Sequence, residues 1–118
     1  MKLRIRGNSI RLRLTKSEVK KLDEQGLVEE KTDFGNGQVF VYAISASKNV
    51  ETVEASFGNN RIEICIPQAV AETWANNEEV GISVNQGVLK LLIEKDFNCL
   101  IPRNTEEDAD TFPHPKEI

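Results

Sequence analysis

Residues 10–22, IRLRLTKSEVKKL, change from one periodicity to another within a few positions. In the first half, apolar and basic residues alternate, which is the pattern of a half-buried strand. The TKSE motif that follows matches a capping box, with Thr15 as the helix cap and Glu18 at the third helical position. Val19 and Leu22 continue at helical spacing. The stretch therefore predicts a strand that leads directly into a short helix.

The residues before this stretch predict a partner for the strand. Residues 2–6 alternate in the same way, and Gly7-Asn8 is a suitable two-residue hairpin loop. Such a loop sets Arg4 opposite Arg11 and pairs apolar residues on the other face. The prediction is a β-hairpin with one apolar face and one basic face.

The same pattern returns about fifty residues later. IEICIPQAVAETW, residues 62–74, aligns without gaps on residues 10–22. A loop at Asn59-Asn60 precedes it and joins the strands expected at 52–57 and 61–66, and Pro67 stands where a helix tolerates proline. We interpret the chain as two copies of one unit.

Each predicted helix is followed by a second hairpin. Asn36-Gly37 is a strong type I′ turn signal between residues 27–34 and 38–45. Gln86-Gly87 is expected to join 80–85 to 88–95, which would set Val84 opposite Leu89.

The fold class is therefore mostly β (α+β), with a duplicated β-β-α-β-β unit. The repeats span residues 2–45 and 51–95, with helices near 17–25 and 68–76. Eight antiparallel strands and two short helices leave apolar sheet faces that must cover each other, so we expect an eight-stranded antiparallel barrel or curled sheet. Two packed sheets without closure are the alternative.

Composition sets the class of protein. Residues 1–97 are expected to form one domain, and residues 98–118 a flexible, acidic C-terminal extension. The longest aliphatic run is far too short to span a membrane, the start of the chain lacks the apolar core of a signal peptide, and two cysteines imply no disulfide framework. We expect a soluble cytoplasmic protein with no membrane partner.

Charge is distributed unevenly along the chain. Residues 1–50 hold 10 Lys/Arg against 6 Asp/Glu, whereas residues 51–118 hold 5 against 13. The basic hairpin face is the candidate anion-binding site, made of Lys2, Arg4, Arg6, Arg11 and Arg13. Arginine suits bidentate contacts with carboxylate or phosphate.

Three interpretations of this face remain open. The charges are solvated and block edge-to-edge association, or they meet acidic residues of the other repeat, or they bind a small polyanion or a protein partner. Nucleic acid is disfavoured as a partner, because the chain carries a net charge of −4 and holds few aromatic residues.

No residue set supplies a nucleophile, a base and an electrostatic stabiliser together. The single His114 lies beside prolines near the end of the chain, and Cys65 and Cys99 have neither zinc-site spacing nor a neighbouring base. We expect a non-catalytic domain with no cofactor that binds an anionic ligand or a protein partner. A structural or assembly module, in which a strand edge pairs with another chain, is a further alternative.

Two resemblances add to this interpretation. The phrases KLRIRGNSIRLRLTKSEVKKL, TDFGNGQ and LLIEKDFNCL resemble a family of small uncharacterised bacterial proteins, which implies no function. The architecture also resembles the CYTH-like triphosphate tunnel proteins, which are eight-stranded barrels built from a duplicated unit. That resemblance implies a barrel lined with Arg, Lys and Glu that binds triphosphate and Mg²⁺.

The tunnel resemblance supplies the enzymatic alternative. Mg²⁺-dependent triphosphate hydrolysis would use Glu54, Glu63 and Glu94 as metal ligands. The Glu-x-Glu-x-Lys motif of those proteins is replaced here by LRIRG on the first strand.

Overall fold

The elements follow the expected order, β-β-α-β-β twice. The computed structural model describes residues 1–97, so the expected C-terminal extension, with Cys99 and His114, lies outside the described residues. The elements are β1 (Lys2–Arg6), β2 (Ser9–Leu14), α1 (Lys16–Gln25), β3 (Leu27–Gly35), β4 (Gln38–Ser47), β5 (Glu54–Gly58), β6 (Arg61–Pro67), α2 (Gln68–Ala75), β7 (Gly81–Gln86) and β8 (Leu89–Lys95).

The strands form two four-stranded sheets and not one closed barrel. Sheet A has the order β1-β2-β8-β7, and sheet B has the order β3-β4-β6-β5. Hairpin partners are antiparallel, but β2 pairs with β8 and β4 pairs with β6 in parallel. The prediction of an all-antiparallel barrel is therefore wrong. Alternation along a strand fixes which face is buried, but it does not fix which distant strand lies alongside.

The strand order has the symmetry of a repeated unit. If each strand of one half is replaced by the corresponding strand of the other half (β1 by β5, β2 by β6, β8 by β4 and β7 by β3), the order of sheet A becomes β5-β6-β4-β3. This is the order of sheet B read from its other edge. Each sheet takes one hairpin from residues 2–45 and one from residues 51–95. The two halves therefore interlock and do not form a sheet each.

The hairpin registers test the turn assignments. Arg4 faces Arg11 as expected, and the Asn36-Gly37 loop has positive φ at both residues, as a type I′ turn requires. In the β7–β8 hairpin Val84 faces Leu91, not Leu89, because the loop is Gly87-Val88 with Gly87 at φ 59° in the first position. A shift of two residues leaves every side chain on its predicted face.

Both helices begin where the sequence predicts. Thr15 and Glu18 form the complete capping box of α1, and Gly26 ends that helix in the left-handed conformation. The helix α2 follows Pro67 directly. Each helix connects one sheet to the other, and each buries a narrow apolar stripe, with Trp74 only 1% exposed.

One apolar core joins both sheets and both helices. Leu12 and Ile93 from sheet A, Ile44 and Ile64 from sheet B, and Trp74 belong to the same cluster. Burying each such aliphatic side chain contributes about 1.5–3 kcal/mol relative to its exposed state. No polar or charged residue is buried within residues 1–97. The apolar faces therefore point inward and the charged faces outward, so a polar tunnel is not the interior of this fold.

All four hairpin turns lie at the sheet ends opposite the helix connections, as the parallel pairings require. Apolar side chains next to these turns are exposed. Ile5 is 53% exposed, Phe34 69%, Phe57 74% and Val88 82%.

Candidate binding face

The outer face of sheet A gathers the basic residues into three rows. One row holds Lys2 and Arg13 beside Glu94, and the next holds Arg4 and Arg11 beside Leu92. The third row begins with Arg6 and Ser9 and continues to Lys90. We name Lys2, Arg4, Arg6, Arg11, Arg13 and Lys90 the basic face. The structure brings all five predicted residues onto one surface.

Lys90 was missed by sequence reasoning. Alternation along β8 places it on a polar face, but only the parallel pairing of β2 with β8 brings it beside the basic hairpin. No signal in the sequence identifies that pairing.

Two carboxylates lie against the basic face. Arg11 Nε is 2.9 Å from Glu94 Oε1, and Lys2 Nζ is 3.4 Å from Asp96 Oδ2. The side chain of Lys2 is 73% exposed and that of Arg11 is 35% exposed. Both acids come from the end of sheet A where β8 ends.

Sheet B offers an internal comparison, because its outer face is built by the same topology. There Arg61 lies between two glutamates, with its Nη1 2.6 Å from Glu29 and its Nη2 2.9 Å from Glu63. The hydrogen bond from Arg61 holds the pKa of Glu29 below its ordinary value. Both basic residues of this face, Arg61 and Lys31, are paired with acids, whereas basic residues dominate the equivalent face of sheet A.

The two best-formed cavities of the described residues lie away from the basic face. A groove of about 1020 Å³ lies beside α1 and the end of α2, with Lys16, Lys20 and Lys95 among its lining residues. A smaller cavity of about 300 Å³ adjoins Trp74 and Ile82. Neither is lined by a residue of the basic face.

The three glutamates of the Mg²⁺ alternative are not brought together. Glu54 and Glu63 lie on the outer face of sheet B, on neighbouring strands, whereas Glu94 lies on the outer face of sheet A. Within residues 1–97, no group of three or more His, Cys, Asp or Glu side chains is arranged to hold a metal ion. Cys65 is a free, half-buried cysteine on β6.

A polar cluster that the sequence did not predict fixes the start of the basic hairpin. The ammonium group of Met1 lies 2.6 Å from Glu18 Oε2 and 2.9 Å from Glu30 Oε1, and it is shielded from solvent. The Tyr42 hydroxyl donates to Glu30 Oε2 at 2.5 Å and lies 3.1 Å from the Met1 carbonyl oxygen. Residues from α1, β3 and β4 thus hold β1 in place.

Hydrogen bonding in this cluster shifts the pKa of each group. Burial opposes the charge of Glu18, but hydrogen bonds from the Met1 ammonium and Thr15 hold its pKa below the ordinary value. Hydrogen bonds from Tyr42 and then from Met1 lower the pKa of Glu30. The same bond to Glu30 raises the pKa of Tyr42 to about 12. All of these shifts favour ionised carboxylates and a neutral phenol in the cluster.

Within the described part of the chain, neither helix has the length or the apolar content needed to cross a bilayer.

Comparison with known proteins places the chain in a family. No curated protein and no solved structure matches it. A family model described as a family of unknown function, DUF7009, matches residues 1–116, which is nearly the whole sequence. The chain therefore belongs to the DUF7009 family.

Proposed function

We propose that this protein is a non-catalytic binding module whose basic face contacts an acidic segment of a protein partner. One observation supports this proposal above the others. Six basic side chains occupy three consecutive rows of one sheet face, with Glu94 as the sole acid within those rows.

Protection of a sheet edge does not account for this arrangement. Charges that prevent edge-to-edge association belong on an edge strand, and Lys2, Arg4 and Arg6 do lie on edge strand β1. The other three basic residues lie on the central strands β2 and β8. Like charges directly opposite each other, as in the pair Lys2 and Arg13, destabilise a sheet. A partner that supplies carboxylates would offset that cost.

The shape of the face favours an extended acidic chain over a small anion or a nucleic acid. Small ligands are bound in concave sites, and the two cavities beside α1 and beside Trp74 both lie away from the basic face. Single-stranded nucleic acids use aromatic side chains as stacking platforms, and the three basic rows contain none. Carboxylates along an extended chain can instead meet several arginines in turn.

The affinity should be modest and sensitive to salt. Exposed ion pairs contribute about 0.2–1 kcal/mol each. Five such pairs at the upper end of this range, which applies at low ionic strength, sum to about 5 kcal/mol and correspond to a dissociation constant on the order of 0.1–1 mM.

The test measures binding of a fluorescent ten-residue poly-glutamate peptide by anisotropy, at low and at physiological salt. We expect salt-dependent binding that the double variant Arg6→Gln, Arg13→Gln weakens about twofold to thirtyfold, which is the loss of two such pairs. The matched control is Lys31→Gln with Lys48→Gln, which removes the same charge from exposed residues outside sheet A.

Three outcomes would overturn the proposal. Equal weakening by the two double variants would mean that only net charge matters. Tighter binding of tripolyphosphate than of the peptide, lost in the same arginine variant, would assign the face to a small anion. Tighter binding of single-stranded DNA would assign it to nucleic acid.

A further inference from the structure

We propose that the acidic segment of residues 106–110, EEDAD, docks on the basic face of the same chain and competes with an external acidic partner. This inference rests on the proposed function of that face, and it names an occupant within the chain. The segment contributes four carboxylates in five positions.

The chain leaves sheet A beside the basic face. After β8 ends at Lys95, the backbone nitrogen of Asp96 still donates to the Leu14 carbonyl oxygen at 2.8 Å, so the chain continues alongside β2. Asp96 and Glu94 already form ion pairs with Lys2 and Arg11. The last acidic residues of the described chain thus contact this face, and the next acidic residues follow shortly after.

The connection is long enough for the docking. Nine positions separate Glu106 from Phe97, the last described residue, and they span up to about 30 Å when extended. The basic face measures roughly 14 Å along β1 and roughly 10 Å across the three strands β1, β2 and β8. The acidic segment can therefore reach every row of the face.

Charge complementarity favours this surface over the outer face of sheet B. Residues 98–118 hold 5 Asp/Glu against 2 Lys/Arg, and four of the acids lie within residues 106–110. On sheet B the principal arginine, Arg61, is already paired with Glu29 and Glu63. The basic face is where additional carboxylates relieve repulsion between like charges.

Tethering makes a weak contact effective. A segment joined to its binding surface through a short connection has an effective concentration on the order of millimolar. That value is similar to the affinity expected of the face for an acidic chain, so the segment would occupy about half to nine-tenths of the molecules. Removing its charge should then raise the affinity for an external acidic peptide about twofold to tenfold.

The first experiment tests the internal contact without any ligand. Carbodiimide treatment of the full-length protein, followed by mass spectrometry, joins carboxylates to lysines with which they are in contact. We expect links from residues 106–110 to Lys2 and Lys90, with the Lys2–Asp96 link as the positive control. Links only to Lys16, Lys20 or Lys21 of α1, or none beyond the positive control, would overturn the docking.

The second experiment measures affinity for the poly-glutamate peptide in a neutralised full-length variant. The substitutions are Glu106→Gln, Glu107→Gln, Asp108→Asn and Asp110→Asn. The matched control removes four exposed acids elsewhere, at Glu51, Glu72, Glu78 and Glu79, each changed to Gln. We expect the gain in affinity only in the first variant, and an equal gain in both would overturn the competition.

The two proposals fail in different ways. If the crosslinks form but the peptide binds neither the wild type nor the neutralised variant, the internal contact holds and the proposed function fails. If the peptide binds through Arg6 and Arg13 but no crosslink to Lys2 or Lys90 forms, the function holds and the internal occupant is wrong.

Discussion

The side-chain amide of Gln86 forms two hydrogen bonds with the backbone of Ala55. Gln86 Oε1 accepts from the Ala55 nitrogen at 2.7 Å, and Gln86 Nε2 donates to the Ala55 oxygen at 3.0 Å. These bonds join β7, an edge strand of sheet A, to β5, an edge strand of sheet B. One side chain thus satisfies backbone groups that the free edge of β5 would otherwise present to solvent.

We expect Gln86→Ala to lower the free energy of unfolding by about 1 kcal/mol, because two partly exposed hydrogen bonds are lost. For a domain of this size, the melting temperature should fall by about 4–8 °C. Asn85→Ala, an exposed residue on the same strand, is the control. Equal changes in the two variants would show that the bridge to Ala55 has no special role.

Tyr42 should titrate far above the ordinary range. Its hydrogen bond to Glu30 raises its pKa to about 12, and it is the single tyrosine of the sequence, so absorbance at 295 nm reports on it alone. In Glu30→Gln, the tyrosinate transition should move back toward pH 10. Circular dichroism over the same pH range verifies that the protein remains folded. A wild-type transition near pH 10 in folded protein would contradict the cluster.

The same cluster predicts an acid-dependent loss of stability. Glu18 and Glu30 have lowered pKa values in the folded protein, so their contribution is present above the ordinary carboxyl pKa of 4.5 and is lost as pH falls through the folded values. Tyr42→Phe removes the largest cause of the Glu30 shift, so the free energy of unfolding of this variant should fall less steeply between pH 5 and pH 3. Urea denaturation at several pH values measures both slopes. Equal slopes in the wild type and in Tyr42→Phe would contradict the conclusion that the Tyr42 hydrogen bond is the largest cause of the lowered Glu30 pKa.

Substitution of Arg61 and of Arg13, which lie on the equivalent outer faces of the two sheets, should affect the melting temperature differently. Arg61→Gln breaks contacts with Glu29 and Glu63 and should lower the melting temperature, whereas Arg13→Gln removes repulsion from Lys2 directly opposite and should leave it unchanged or raise it. The difference should shrink as salt rises from 20 mM to 500 mM, because both effects are screened. A lower melting temperature in Arg13→Gln than in Arg61→Gln would mean that the basic face is internally stabilised.

Local features of the fold could be predicted from the sequence, and distant pairings could not. The hairpin containing Arg4 and Arg11 and the capping box of Thr15 are encoded within a few residues, by turn chemistry and periodicity. The β7–β8 register was wrong by two residues, because Gly87 occupies the first loop position and not the second.

The same distinction between local features and distant pairings applies to the candidate site. Five of its residues lie on one hairpin and were predicted, whereas Lys90 joins them only through the parallel pairing of Ser9 with Lys90, 81 positions apart. The alternation along β8 predicts which face of the sheet Lys90 lies on, but it does not predict which strand lies beside it. The cluster of Glu18, Glu30 and Tyr42 depends on contacts between α1, β3 and β4 that no local pattern encodes.

The interlocked topology leads to a final prediction about how the two halves fold. Each sheet needs one hairpin from each half, and the pairings that join them, β2 with β8 and β4 with β6, both cross the connection between Ser47 and Glu54. An isolated two-stranded hairpin is at best marginally stable in water. Neither half alone can therefore complete a four-stranded sheet or enclose the core that Ile44 and Ile64 share with Leu12 and Ile93.

We therefore expect fragments 1–48 and 49–118 to be unfolded separately and to recover the native circular dichroism spectrum when mixed. Lys48 and Asn49 are exposed, so a cleavage site between them disturbs no buried contact. Refolding of the intact chain should be slow for its size. The parallel pairings join strands that are far apart in the sequence, so the entropy of closing these long loops is lost before the contacts that stabilise them form. Cooperative unfolding of fragment 1–48 alone would contradict the interlocked arrangement, since it would mean that one half of the chain buries its apolar faces without the other.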